Sequence, residues 1–561
     1  MRLKIFTIVL FCLNSICITK AMTIDSRRIF INNEIDLQGL VYELPPHSTL
    51  IFKGDGLIRN GIIIGNQTKI KAKDKTIFTN VTISGTWLNE TVYANWFPFD
   101  QTLGFDNKDN FINTMRLCEG DLYTHLYMPE GTFYTSTQYD NSHICIPSNT
   151  YWHNSATICE IPNQYSKSSL VLLDRVSNVT IDGGRFIGDV KNHMGIDGEW
   201  GHGIKCSGVL NVNLCNLECS EFWGDGVDLI EGKDVHGAPS INCQNVKLSN
   251  VRCLNNRRQG LSIEAATNVS VVNSEFAYTG QILSTNPSSG VDIEPWQVND
   301  RKIQHIYFEN CSFHDNYGYD LHIVPNRLLS DNEFIDNEND IKLIACTIGL
   351  VNIGSANGIH FQECAIGENI STLEHRGGYV SSSNLGVIQI YRSNVIVSDS
   401  KIVNNIDDAY TILVQNNIGD LDLQCNFIAN DVLALKKKLT GNFRYSINVF
   451  ARNCCMEDNM FALKQGIIIR STYPQQEDDL IDIKGNVFKL EDAEWKAACI
   501  TLRSSNKIQI FNQVHIFDND IEGFHYILAN DNNTHIIKYS GKSHIPLEQF
   551  KSGAMIELIG R

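Results

Sequence analysis

A chain of 561 residues with 43% hydrophobic and 19% charged residues is long enough for one large core or several ordinary domains. With normal apolar content and only 12 prolines it is not low-complexity disorder. A formal net charge of −17 argues against binding a nucleic-acid backbone, which needs a basic face, and a mean hydropathy of −0.16 argues against a multi-span membrane protein.

In chain order, Arg2 and Lys4 open a basic segment, Ile5 to Ile16 is apolar, and Thr19-Lys20-Ala21 is an acceptable cleavage site. The apolar run is shorter than the roughly 20 residues that a spanning helix needs, so residues 1–21 read as a secretory signal. An exported chain, periplasmic or extracellular, is expected, with no membrane span once the signal is removed. Losing Arg2, Lys4 and Lys20 takes the charge from −17 to about −20. Of 17 cysteines, Cys12 and Cys17 leave with the signal; the odd remainder cannot all pair internally.

Residues 22–95, with Leu50-Ile51-Phe52 and Gly61-Ile62-Ile63-Ile64, read as β-coils that cap a solenoid end. Residues 96–164 form an entry segment with a short helix near Asn110 to Cys118. From 165 to 530 the chain repeats itself. Asn178-Val179-Thr180-Ile181, Asn211-Val212-Asn213-Leu214, Asn245-Val246-Lys247-Leu248, Asn268-Val269-Ser270-Val271 and Asn394-Val395-Ile396-Val397 share one pattern. A second runs through Leu217/Cys219, Cys311/Phe313, Cys346/Ile348, Cys364/Ile366 and Cys425/Phe427. Period-2 alternation puts both members of each pair on one strand face. Recurrence every roughly 20 to 35 residues indicates one short strand per coil of a solenoid. The cysteines then form an interior ladder of small, soft side chains. Residues 531–561 read as an end piece.

The stretch Val92-Tyr93-Ala94-Asn95-Trp96-Phe97, followed by Leu126-Tyr127-Met128-Pro129-Glu130-Gly131-Thr132-Phe133, resembles the entry to the secreted bacterial proteins of the pectate-lyase-like superfamily. The coils Trp223-Gly224-Asp225-Gly226-Val227-Asp228 and Gly290-Val291-Asp292-Ile293-Glu294-Pro295 are similar to the same group. The resemblance implies an all-β, right-handed parallel β-helix, a single-stranded β-solenoid with N-terminal capping coils. It implies a carbohydrate-active class that includes polysaccharide lyases, glycoside hydrolases, epimerases and non-catalytic fibres, so the fold alone does not assign the chemistry.

Aligning the middle coils on Gly203, Gly226, Gly260, Gly290 and Gly318 makes the second and fourth positions apolar and turns the third and fifth outward. The outward rows are Lys205, Asp228, Ser262, Asp292, Asp320 and Ser207, Ile230, Glu264, Glu294, His322. This register sets Asp292 beside Asp320 and Glu264 beside Glu294, with Asp228 and Asp292 about two strand spacings apart, roughly 9–10 Å. Neighbouring carboxylates raise one another's pKa, which suits a general acid, and two carboxyl groups at such spacings suit glycosidic hydrolysis. Asp228, Glu264, Asp292 and Glu294 are therefore the candidate catalytic set. Trp223 and Trp296 are candidate sugar platforms, and Asp225 is a group at the strand mouth. Arg257 and Arg258 could clamp a sugar carboxylate or sulfate, and His322 could carry protons near neutral pH.

The expected partner is a polysaccharide or oligosaccharide, cut by a hydrolase that needs no cofactor. One alternative is a calcium-assisted lyase on a uronate polymer, with Lys205, Arg257 or Arg258 as base; clustered carboxylates bind calcium readily. The other is a non-catalytic carbohydrate-binding solenoid. Gly201-His202-Gly203 is similar to a polygalacturonase motif, but it precedes the carboxylates instead of following them, so that catalytic assignment does not transfer.

Overall fold

The computed structural model describes residues 22–25, 27–232, 240–295, 303–328, 338–404, 410–416, 424–434, 445–471, 475, 479–491, 498–504, 514–524, 526–530, 536–541, 550–551 and 555–558. Residues 1–21, read from the sequence as a signal, and the candidate platform Trp296 lie outside them. The chain forms two compact units, residues 1–228 with 232–252, and residues 229–231 with 253–561. Both have the right-handed parallel β-helix fold. No described helix is long and apolar enough to cross a membrane.

In the first unit, Met22–Asp25 and Arg28–Ile31 make an antiparallel pair. Parallel strands follow, among them Thr49–Phe52, Leu57–Lys71 and Phe78–Trp87. Helix Lys108–Cys118 buries Phe111, Met115 and Leu117. Beyond it the coils have three walls, and in some a single long strand spans two of them, as Thr150–Glu160 does. Lys167–Asp174, Ser177–Asp182 and Arg185–Ile187 lie under Trp200–Ser207, Leu210–Cys215 and Glu218–Ser220 respectively. The expectation of one strand per coil is corrected here: the Asn-led pattern and the Leu/Cys pattern are two different walls of the same coil.

The second unit continues in the same manner. Gln259–Ile263, Ser289–Ile293, Leu321–Ile323 and Thr347–Asn357 pair in succession through Leu261, Val291, Leu321 and Val351. These four side chains are fully buried, each contributing about 1.5–3 kcal/mol by leaving water. Aromatic rings stack by the same rule, Phe276 on Phe313 at 5.6 Å and Phe461 on Phe488 at 4.9 Å.

The leading Asn of the first pattern has a conformational reason. Asn178, Asn211, Asn245 and Asn268 have φ of 57°, 54°, 55° and 58°, a left-handed bend that Asn tolerates better than other side chains. Their amides also bridge coils: Asn211 Nδ2 donates to Asn178 Oδ1 at 3.2 Å and Asn245 Nδ2 to Asn211 Oδ1 at 2.9 Å. A buried counterpart runs through Asn430, Asn459, Asn486 and Asn519, each Nδ2 donating to a carbonyl of the preceding coil.

All fifteen described cysteines are free thiols. Several occupy the expected interior rows and donate to carbonyls, as Cys311 Sγ does to Val271 O at 3.5 Å and Cys364 Sγ to Leu343 O at 3.4 Å. Burial pushes the Cys425 thiol up to about 12, so it stays protonated and unreactive.

Replacing Asn211 with Ala is expected to cost about 1 kcal/mol, the left-handed penalty of an ordinary side chain, whereas Asn211→Gly should cost less than half of that. Urea denaturation of the two variants against wild type checks this; equal losses would mean that the amide ladder, not the backbone angle, sets the preference.

Candidate active site

The sequence-predicted residues divide between the units. Trp223, Asp225 and Asp228 belong to the first, along with His202 of the Gly-His-Gly motif; Arg257, Arg258, Glu264, Asp292, Glu294 and His322 belong to the second.

In the first unit the His202 ring lies between two carboxylates, Nδ1 at 3.3 Å from Asp225 Oδ2 and Nε2 at 3.6 Å from Asp228 Oδ2. All three side chains are buried, so Asp225 is a partner of His202 and not a group exposed at the strand mouth. Trp223 is not an open platform either. It is 4% exposed, and one face is covered by the His193 ring at 3.9 Å. His193 in turn holds Asp189, Nδ1 to Oδ2 at 2.8 Å.

Asn163 Nδ2 donates to both Asp189 Oδ2 and Glu160 Oε1, at 3.2 and 2.9 Å. Burial, reinforced by the Asp189 charge, lifts Glu160 from an ordinary 4.5 to about 8.

The second unit holds a more open cluster. Its strands pair Ser262 with Asp292 and Ile263 with Ile293, so Glu264 and Glu294 occupy equivalent positions in adjacent coils, as the glycine alignment expects. The next coil departs from that alignment by two residues: Asp292 pairs with His322, not Asp320. The reason is the turn before Leu321. Asp320 is spent on structure, Oδ1 accepting from Asn316 N at 3.2 Å and Nδ2 at 2.8 Å, and Oδ2 from Leu350 N at 2.8 Å. A shift of two keeps the outward face but exchanges a repelling neighbour of Asp292 for a stabilising one.

Asp292 is 2% exposed and both its oxygens are engaged. His322 Nδ1 lies 2.9 Å from Oδ1. Gln259 Nε2 donates to Oδ2, and Gln259 Oε1 accepts from Ser262. Facing a carboxylate oxygen, which only accepts, Nδ1 is the ring nitrogen that donates to Asp292, and Nε2 is the one turned away from it. His322 is stacked on Tyr319 at 5.3 Å, and its side chain is 14% exposed.

Glu294 is paired with Arg327, whose second amino group reaches Pro295 O at 3.3 Å. Arg258 lies 3.9 Å from Glu264, and Arg257 in the same turn is also buried. Burial and the Asp292 charge raise the Glu294 pKa, against the pull of Arg327, His322 and Arg258. The outward row is thus a desolvated, charge-balanced cluster and not a solvated acidic face.

Donor atoms of Asp292, Glu294 and His322 lie within 4.8 Å of one another, the sole such grouping among the described residues. Their lone pairs are already turned on His322, Gln259 and Arg327, and the guanidinium groups oppose a further cation, so the cluster fits acid–base work better than metal binding. Gln259, Tyr319 and Arg327 are members that the sequence reading did not pick. The signal for Arg327 was the charge itself, since buried carboxylates require a counter-ion.

No family model matches the chain. It is 22% identical over 388 residues, 60% of its length, to the uncharacterized protein YclG of Bacillus subtilis, and the match spans 65% of that relative. It is 28% identical over 168 residues to the prophage-derived uncharacterized protein YorA of the same organism, 28% of each chain. Among solved structures it is similar to the A-module of the mannuronan C-5 epimerase AlgE6 of Azotobacter vinelandii, at TM-score 0.36 and 11% identity, covering 84% of this chain and 100% of that one. It is also similar to an N-terminal fragment of bacteriophage phi29 gene product 12, at TM-score 0.38 and 13% identity, covering 83% and 70%. These likenesses assign no family and no chemistry.

The raised Glu160 pKa makes stability pH-dependent. An acid whose folded pKa lies above its unfolded value stabilises fully below the unfolded value, near 4.5, and loses that contribution as pH rises through about 8. Glu160→Gln should therefore stabilise by about 2–4 kcal/mol near pH 8.5 and by much less near pH 5, read as denaturation midpoints. An equal effect at both values would contradict the raised pKa.

Proposed function

We propose that the protein is an exported enzyme acting on an acidic, uronate-containing polysaccharide, and that His322 removes the proton beside the uronate carboxylate to start a β-elimination. The carbohydrate class comes from the resemblance drawn from the sequence. The observation that carries the reaction type is the Asp292–His322 pair at 2.9 Å, in a cluster that also holds Arg327 and Arg258. A carboxylate on Nδ1 fixes the neutral tautomer whose Nε2 can take a proton near neutral pH. Guanidinium groups bind a carboxylate in a planar, two-point manner and stabilise the charge that develops on it.

The steps balance within this set. His322 Nε2 takes the C5 proton, the C4–C5 double bond forms as the C4–O bond breaks, and Glu294, when protonated, gives its proton to the departing oxygen. The raised Glu294 pKa supports that role. Imidazole is by its chemistry a better base near neutral pH than an ammonium or guanidinium group such as those considered at Lys205, Arg257 and Arg258. Neutralising the substrate carboxylate falls to the arginines in this reading, so activity should survive a chelator; dependence on added calcium would favour the metal-assisted route.

A hydrolase remains the second reading, because Asp292 and Glu294 donor atoms lie within 4.8 Å, near the roughly 5 Å of retaining enzymes. The engagement of both Asp292 oxygens weighs against a free nucleophile.

The test is a panel of uronate polymers followed for new reducing ends and for ultraviolet absorbance of the unsaturated product. His322→Ala should lower kcat by about 10²–10⁴-fold, with little change in the unfolding midpoint, and Asp292→Asn should lower it through loss of the oriented ring. New reducing ends without absorbance, retained in His322→Ala, would assign hydrolysis instead.

A further inference from the structure

Arg327 differs from its neighbours in being reachable. Its side chain is 43% exposed, whereas that of Arg258 is 8% exposed and Arg257 is buried. An anion arriving from solvent meets Arg327 first among these three. That guanidinium is already occupied by Glu294, whose side chain is 18% exposed. The charged groups that face Glu294 are Asp292, Arg327, His322 and Arg258. Both Asp292 oxygens are engaged, by Gln259 and by His322, and Arg258 lies beside Glu264. Arg327 is the cation in direct contact with Glu294 and the first of those that hold its pKa down.

We propose that Glu294 is an internal stand-in for a substrate carboxylate, and that an acidic sugar unit takes Arg327 from it and thereby makes Glu294 take up a proton. The balance is simple. One Arg327–Glu294 pair breaks, one Arg327–substrate pair forms, and one proton passes from solvent to Glu294, which is left beside the charged Asp292. The substrate thus loads the acid that its own leaving oxygen needs, and a neutral polymer, unable to displace Glu294, does not. The inference rests on the uronate reading above and adds to it a coupling between recognition and protonation. Like-charge crowding supplies the drive, since two carboxylates this close do not both stay ionised without a cation between them.

The experiment is titration calorimetry of the mature protein with trigalacturonate and trimannuronate, near pH 7.5, in buffers of differing ionisation enthalpy. Wild type should take up close to one proton per ligand bound, and its affinity should weaken by up to tenfold per pH unit over the range in which Glu294 is ionised before binding and protonated after it. Glu294→Gln should bind with no uptake. Arg327→Gln, in which Glu294 has already lost its counter-ion, should bind weakly and also without uptake, which keeps the test open if one variant folds poorly. Binding of wild type without proton uptake would overturn this proposal and leave the His322 chemistry standing. Uptake that persists in Glu294→Gln would overturn the assignment to Glu294. Failure of both uronates to bind would overturn the proposal together with the uronate reading.

Discussion

Parallel stacking at about 4.8 Å is the constraint from which the rest follows. Each residue on a wall of the coil has a fixed neighbour above and below, in register. Apolar rows such as Leu261, Val291, Leu321 and Val351 become continuous cores. Polar rows become ladders that must satisfy one another, as the amides of Asn178, Asn211 and Asn245 do. A carboxylate in such a row cannot avoid its neighbours, so its chemistry is decided by what the adjacent coils present. For Asp292 they present an imidazole and, through Gln259, an amide.

Much of this was legible in the sequence. The Asn-led pattern marked real left-handed bends, the cysteine pairs marked an interior wall, and the glycines at 260 and 290 gave the register between their strands. The reading failed where a local turn outweighed the repeat. Gly318 looks like Gly290, but Asp320 is drawn into bonds with Asn316 and Leu350, and the strand starts later. That offset of two residues changed the neighbour of Asp292 from a carboxylate to His322. Long-range occupancy was equally illegible. Trp223 reads as a surface ring, but nothing local reveals that His193 covers it, and Arg327 reaches Glu294 from beyond the end of its own strand.

The two units use buried carboxylates differently. Around Glu160 and Asp189, burial and mutual repulsion, only partly offset by hydrogen bonds from Thr137 and Asn163, leave one acid to hold its proton. Around Asp292 and Glu294, arginines offset the carboxylates while Arg327 stays open to solvent. The first arrangement stores a pH dependence of stability. The second is poised so that a small change in partners, of the kind an incoming anion makes, moves a proton.

The proposed elimination requires that a carbon-bound proton of the substrate is the one that moves. The most direct measurement is proton NMR of a uronate oligosaccharide incubated with the protein in heavy water. Loss of the C5 proton signal, with growth of the unsaturated product and no such loss in the His322→Ala variant, is the predicted result. Cleaved chains whose C5 protons are all retained would contradict it.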